Sequence, residues 1–282
     1  MSADHSIARL CAAFGVSRAA FNAWRATAPS AREQQDAQLL EDIRAVHKKH
    51  KGRYGAVRIE KELRKNGHRH GRKRVARLMR QEGIKGLCQR RFVPKTTDSR
   101  HAHPIAPNRL KESPAPQRAN QVWVSDLTYV ATQEGWLYVA IILDLWSRRV
   151  VGWSAGPSLQ ACLAVAALQM ALKQRRPPAG MLHHSDRGVQ YASGEYRDRL
   201  ASAGLQASMS RPGNPYDNGA MESFNATYKR ECVGLAQESG GYATRAQAQA
   251  DLFEYIELYY NRGRLHSALG YKSPVDFETQ LH

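Results

Sequence analysis

The stretch VWVSDLTYV, residues 122–130, sets one carboxylate, Asp126, inside an otherwise apolar run. Val122, Val124 and 127–130 read as a buried strand. A carboxylate there is costly, more so than a buried neutral polar group, unless a cation or strong donors compensate it. The same pattern continues on the C-terminal side. Residues 136–143 predict a second strand and 150–153 a third, and the short chain between them predicts an antiparallel meander. An Ala-rich helix over 159–172 follows, then a strand over 180–184, a helix over 195–203 and a strand over 205–209. Helices over 219–231 and 245–260 end the pattern, ahead of an aromatic and basic tail. Three strands followed by alternating helix and strand predict an α/β fold, a mixed sheet with helices on both sides.

The charge is divided unequally along the chain. Net charge is +17, and residues 1–118 carry 27 Lys+Arg against 10 Asp+Glu, whereas 119–282 carry 15 of each. A neutral half joined to a strongly basic half predicts one part for chemistry and another that holds a polyanion, nucleic acid first among them. The four cysteines, Cys11, Cys88, Cys162 and Cys232, are scattered without a CxxC pair, so reduced thiols are expected rather than disulfides or a zinc site. No apolar run is long enough to span a bilayer and the N-terminus lacks a secretory pattern, which predicts a cytoplasmic protein with no membrane partner.

The basic half reads as helical. Over 1–30, Ile7, Leu10, Cys11 and Phe14 share one face, Gly15 sits at a helix end, Ser17 can cap the next helix, and Val16, Ala20, Phe21 and Trp24 recur at helical spacing. This is a helix-turn-helix pattern whose outward Arg18, Asn22 and Arg25 suit a major groove or phosphates. A hairpin that only packs on a neighbour is the alternative. Residues 36–92 predict a second basic unit with stripes through Leu39, Leu40, Ile43 and Val46, through Val57, Ile59 and Leu63, and through Val75, Leu78 and Met79. Its last helix carries Arg72, Lys73, Arg74 and Arg77, the leading candidates for non-specific backbone grip. Residues 93–118 hold five prolines and read as a linker, part extended and part flexible.

Two further carboxylates complete a candidate site. Asp186 follows the strand ending in HHS, at the C-terminal end where α/β sheets build sites. Glu222 lies in the first turns of a helix after RPGNPYDNG, with Asp217 as its competitor and the better N-cap. Three carboxylates from two strands and one helix can converge at a sheet edge and hold hard divalent cations. Asp144 reads as structural, holding the turn after the second strand through Arg148. His183 and His184 point to opposite faces of their strand. Tyr259, Tyr260, Arg262, Arg264 and His266 form an aromatic and basic cluster open to a structural or a DNA-contacting reading.

Thirty-five residues separate Asp186 from Glu222, and Asn225 and Lys229 follow at three and seven residues on the same helix face. This resembles the aspartate–aspartate–35–glutamate pattern of retroviral integrases and related bacterial transposases. The strings VWVSDLTYV, DLWSRRVVGW, HHSDRGVQY, SRPGNPYDNGAMESF and YNRGRLHSALGYKSP resemble the second-frame protein of the insertion-sequence-three transposase family over essentially the whole chain. The resemblance implies a ribonuclease-H-like integrase core from 119 to 235, with 236–282 as its helical extension. It also implies that Asp126, Asp186 and Glu222 bind Mg2+, with Mn2+ as a substitute, and that Lys229 lies near the DNA terminus; Asn225 on the same helix face and Tyr216 in the loop before it read as further DNA contacts. The implied partners are double-stranded DNA (terminal inverted repeats and target), other copies of the chain, and an upstream-frame product as fusion or partner. A non-catalytic DNA-binding regulator and a plain ribonuclease-H-type nuclease are the competing functions. The intact carboxylates stand against the first, the basic helical half against the second.

Overall fold

The computed structural model describes residues 6–87, 104–211 and 218–280, so Tyr216, Asp217 and Cys88 lie outside the described residues. The chain divides into two compact units, 1–86 and 87–282. No helix is long and apolar enough to cross a membrane among the described residues.

The first unit is all helical: α1 (Ile7–Ala13), α2 (Arg18–Ala26), α3 (Ala31–Lys49), α4 (Ala56–Lys65) and α5 (Arg72–Gln81). Ser6 and Ser17 cap the first two, and Ser30 with Glu33 forms a capping box at the start of α3. Leu39, Ile43 and Val46 of α3 meet Ile59 and Leu63 of α4 and Val75, Leu78 and Met79 of α5 in a buried core. The N-terminal pair departs from expectation. No residue of α2 is buried, and Phe14 and Trp24 are 71% and 73% exposed, so the predicted apolar stripe is not covered. Arg18, Asn22 and Arg25 are exposed as predicted.

The second unit is built on a five-stranded mixed sheet in the order β3-β2-β1-β4-β5. β1 (Val122–Thr132), β2 (Gly135–Asp144) and β3 (Val150–Gly156) form the antiparallel meander, and β4 (Leu182–Ser185) and β5 (Gln206–Met209) extend it in parallel from β1. α6 (Ala161–Arg175) crosses from β3 to β4, and α7 (Val189–Ala192) with α8 (Gly194–Ser202) crosses from β4 to β5. Alternation along β1 gives the sheet two buried faces: Trp123 points into a core with α6, α7 and α8, while Val122 and Val124 point into another with Met221, Phe224 and Tyr228. Gly152 lets α6 approach β3 closely, because a Cβ there would stand 2.8 Å from that of Ala171.

α9 (Gly219–Tyr228), a π-helical turn Lys229–Val233 and α10 (Gly234–Glu238) form one continuous rod. α11 (Arg245–Phe253) runs into a second π-helical turn, Glu254–Tyr260, and α12 (Pro274–Thr279) closes the fold. The two π turns were not predicted. Each inserts wider turns that re-aim the helix face, and together they bring Tyr255 Oη within 3.3 Å of Glu231, which also accepts from Arg264 at 2.7 and 2.8 Å. Arg264, Tyr260 and His266 are buried, so this part of the aromatic and basic cluster is structural. Tyr242, Ala248, Leu252 and Tyr255 belong to the sheet's core, which makes 236–280 an integral layer rather than an appendage. The end of the predicted linker is likewise docked: Arg109 and Leu110 donate backbone N–H groups to Ser208 Oγ at 3.0 and 3.3 Å.

Candidate active site

Asp126 sits mid-strand on β1, Asp186 just past β4, and Glu222 in the first turn of α9. β1 and β4 are adjacent and parallel, with Val124 paired to His184, so the first two carboxylates reach the same end of the sheet. Gly188 N–H donates to Asp186 Oδ1 at 2.9 Å. Burial pushes the Asp126 carboxyl well above the usual range, and the negative charges of Asp186 and then Glu222 push it in the same direction. Glu222 is exposed, and partial desolvation raises its carboxyl too. The three are therefore electrostatic neighbours. Among the described residues, however, no three Asp, Glu, His or Cys side chains are gathered closely enough to enclose one ion.

α9 is stitched to β1 by two amide side chains. Asn218, at the N-terminal end of the helix, donates through Nδ2 to the Ser125 carbonyl at 3.0 Å instead of capping its own helix. Asn225 donates through Nδ2 to Asp126 Oδ2 at 2.7 Å, while Leu127 N–H donates to Oδ1 at 2.9 Å. Asn225, expected at DNA, is thus engaged with the carboxylate itself. Lys229 Nζ lies 4.9 Å from the centre of the Tyr129 ring, and burial lowers its ammonium to about 8.

The remaining candidates fall into place around this centre. Asp144 is structural as read: Oδ1 accepts from the Trp146 and Ser147 N–H groups at 3.1 and 2.9 Å, and Oδ2 from Asn120 N–H at 2.7 Å. The link to Arg148 is through backbone, Arg148 N–H to Asp144 O at 2.9 Å, rather than through the guanidinium. His183 and His184 are both buried, the first 3.1 Å from Tyr196 Oη and the second between Ser208 and Ser210 at 2.8 and 3.0 Å. In the first unit, Arg72 and Lys73 are exposed, but Arg74 and Arg77 both donate to Asp36, at 2.6 and 2.5 Å. Sequence reasoning passed over Asn218, Tyr129 and Tyr191. Asn218 carried a signal, an amide four residues before Glu222 on the same helix face; the two tyrosines carried none, since an aromatic in a strand or helix reads first as core.

A ribonuclease-H-like sheet with acidic residues at the middle of its first strand, past its fourth and on the helix after its fifth is an integrase core, the class to which this unit belongs. Family models described as "Integrase core domain" match residues 116–215 and 203–274, and one described as "HTH-like domain" matches 33–92. The chain is 44% identical over 273 residues to the "Insertion element IS600 uncharacterized 31 kDa protein" of Shigella sonnei, covering 97% of this chain and 98% of that one. It is 43% identical over 250 residues to the "Transposase for insertion sequence element IS904" of Lactococcus lactis, covering 89% and 97%. It is 39% identical over 280 residues to "Transposase InsF for insertion sequence IS3A" of Escherichia coli, covering 99% and 96%. A chain of the simian T-cell lymphotropic virus intasome complexed with PP2A regulatory subunit B56 gamma shares the fold with a TM-score of 0.50, at 14% identity, over 84% of this chain and 74% of that one. The chain belongs to the IS3 family of transposases.

Proposed function

We propose that this chain cuts DNA at the terminal inverted repeats of an insertion sequence and joins the freed 3′ ends to new phosphodiesters. Asp126, Asp186 and Glu222 are the proposed ligands of two divalent cations, magnesium or, in its place, manganese. The observation that carries this is the placement of Asp126, half-buried in mid-strand beside the strand that leads to Asp186, with its carboxyl raised by burial and by the charges of Asp186 and Glu222. Such a cluster of carboxylates fits a hard cation bound through oxygen. When bound, the metal pair activates the attacking oxygen and stabilises the leaving 3′ oxygen.

This chain's own groups supply the rest. Asn225 fixes the orientation of Asp126, and exposed Glu222 completes the carboxylate set from α9. Lys229 offers a partly desolvated cation to a backbone phosphate near the reacting end. Arg72 and Lys73 of α5, with Arg18, Asn22 and Arg25 of α2, are the proposed grip on flanking duplex. Other copies of this chain on paired ends, and an upstream-frame product as partner or fusion, complete the proposed assembly, which acts in the cytoplasm at the nucleoid.

The test is incubation of the purified chain, alone and with the upstream-frame product, with magnesium and labelled DNA ends from its own element. A nick at the 3′ end followed by a joined product is expected. Asp126→Asn is expected to bind those ends as the parent does and to cleave them about a thousandfold more slowly. Equal cleavage by the two proteins would remove Asp126 from the chemistry, and binding without cleavage by the parent would favour a DNA-binding regulator.

A further inference from the structure

Two buried amide oxygens beside Asp126, Oδ1 of Asn218 and Oδ1 of Asn225, have no hydrogen-bond partner among the described residues. Asn218 is 8% exposed. Buried polar groups are almost always paired, so two orphaned acceptors about one carboxylate call for a donor. Their placement is tied to the site. The Asn225 amide is held by Asp126 and the Asn218 amide by the carbonyl of Ser125. Neither amide can turn over. In each case that would set its carbonyl oxygen against another acceptor, Asp126 Oδ2 or Ser125 O. The interval of seven residues from 218 to 225 is about two helical turns, so Asn218 and Asn225 lie on one face of α9 with Glu222 between them.

We propose that Asn218 and Asn225 accept hydrogen bonds from the water molecules of a hydrated divalent cation held at Asp126 and Asp186, and thereby set how tightly that cation is held. The inference rests on the metal-dependent reading above. Magnesium gives up its waters reluctantly and is commonly held by one or two carboxylates with several waters retained. Each such water is a strong donor in need of an acceptor, and an amide oxygen fixed by its own N–H bond provides one. A site of this kind does not need three protein ligands gathered about one ion, in keeping with the absence of such a group among the described residues. Asn225 has a second duty as a positioning residue, because the same amide orients Asp126.

Asn218→Leu separates the idea from the rest of the site, since it removes the free acceptor without touching a carboxylate. The probe is Mn2+ binding to the full chain without DNA, read by electron paramagnetic resonance, with urea unfolding of the metal-free proteins alongside. The parent is expected to bind Mn2+ and Asp126→Asn to lose that binding. Asn218→Leu is expected to bind about 10–100-fold more weakly, the usual effect of removing a group that hydrogen-bonds a metal ligand, and to remain folded in the absence of urea with its metal-free midpoint lowered by loss of the Nδ2 bond to the Ser125 carbonyl. Should Asn218→Leu fail to fold, Asn218→Ala is measured in the same way with the same expectation. Affinity within twofold of the parent in the folded variant overturns this proposal and leaves the metal-dependent reading standing. No Mn2+ binding in the parent that Asp126→Asn abolishes overturns both.

Discussion

Lys229 shows how one residue's environment sets the conditions under which it acts. Its ammonium lies against the Tyr129 ring and is lowered to about 8 by burial. It is a cation below that value and neutral above it, well before exposed lysines lose their charge near 10.4. A phosphate contact made by Lys229 is therefore present at pH 7 and lost as pH rises through 8. Affinity for terminal DNA measured from pH 7 to 9.5 is expected to fall across that step in the parent and to stay level in Lys229→Arg, whose charge does not titrate there. Identical pH profiles would take Lys229 off the DNA. The spacing from Glu222 was visible in the sequence, whereas the lowered ammonium depends on burial that only the folded chain creates.

At the scale of the element, α5 divides its cations between two duties. Arg74 and Arg77 are committed to Asp36 of α3, while Arg72 and Lys73 face outward. A densely cationic helix reads from sequence as one continuous grip. The structure takes two of its four leading cations and uses them to fasten one helix to another. Each phosphate contact contributes about 0.9 to the slope of log K against log salt. Arg72→Ala with Lys73→Ala is expected to weaken binding to any sequence and to flatten that slope by about 2, with the stability of the first unit unchanged. Arg74→Ala with Arg77→Ala is expected to lower its urea midpoint instead. Titration of binding with salt distinguishes the pairs, and an unchanged slope in the first would remove α5 from the DNA surface. The π turns are a second case at this scale. The periodicity of 219–231 and 245–260 predicted plain helices, and only packing of Glu231 against Tyr255 and Arg264 shows where the turns widen.

For the molecule as a whole, the two units respond to acid through different groups. In the first unit Glu62 is held at about 2, chiefly by its hydrogen bond with His50 and with help from Lys49. Its folded value lies below the ordinary 4.5, so its contribution is present above 4.5 and lost as pH falls towards 2. In the second unit His183 is lowered to about 3, by burial first and by the neighbouring charge of His184 second. The unfolded chain takes up that proton near 6.5 and the folded one does not, so this unit loses stability as pH falls from 6.5 towards 3. The raised Asp126 carboxyl acts with the opposite sign over the same range, so pulse proteolysis in urea at pH 7, 5.5 and 4 is made on Asp126→Asn, whose second unit is expected to weaken first, between 7 and 5.5. The first unit weakening earlier would refute the assignment. Glu62→Gln is expected to flatten only the first unit's response below 4.5.

Much of this was determined by the sequence alone. Strand and helix periodicity located all five strands and the principal helices, because burial of one face imposes a repeat of 2 or 3.6 on apolar residues. The apolar setting of Asp126 and the 35-residue interval from Asp186 to Glu222 marked the carboxylates before any coordinates. Tertiary structure alone decided that Asn225 holds Asp126, that Asn218 is spent on β1, that Arg74 and Arg77 serve Asp36, and that 104–118 and 236–280 are built onto the sheet. The physical reason is the same in each case. A repeat along the chain records which face of an element is buried, but a hydrogen bond or ion pair between residues 38 to 99 positions apart leaves no periodic trace.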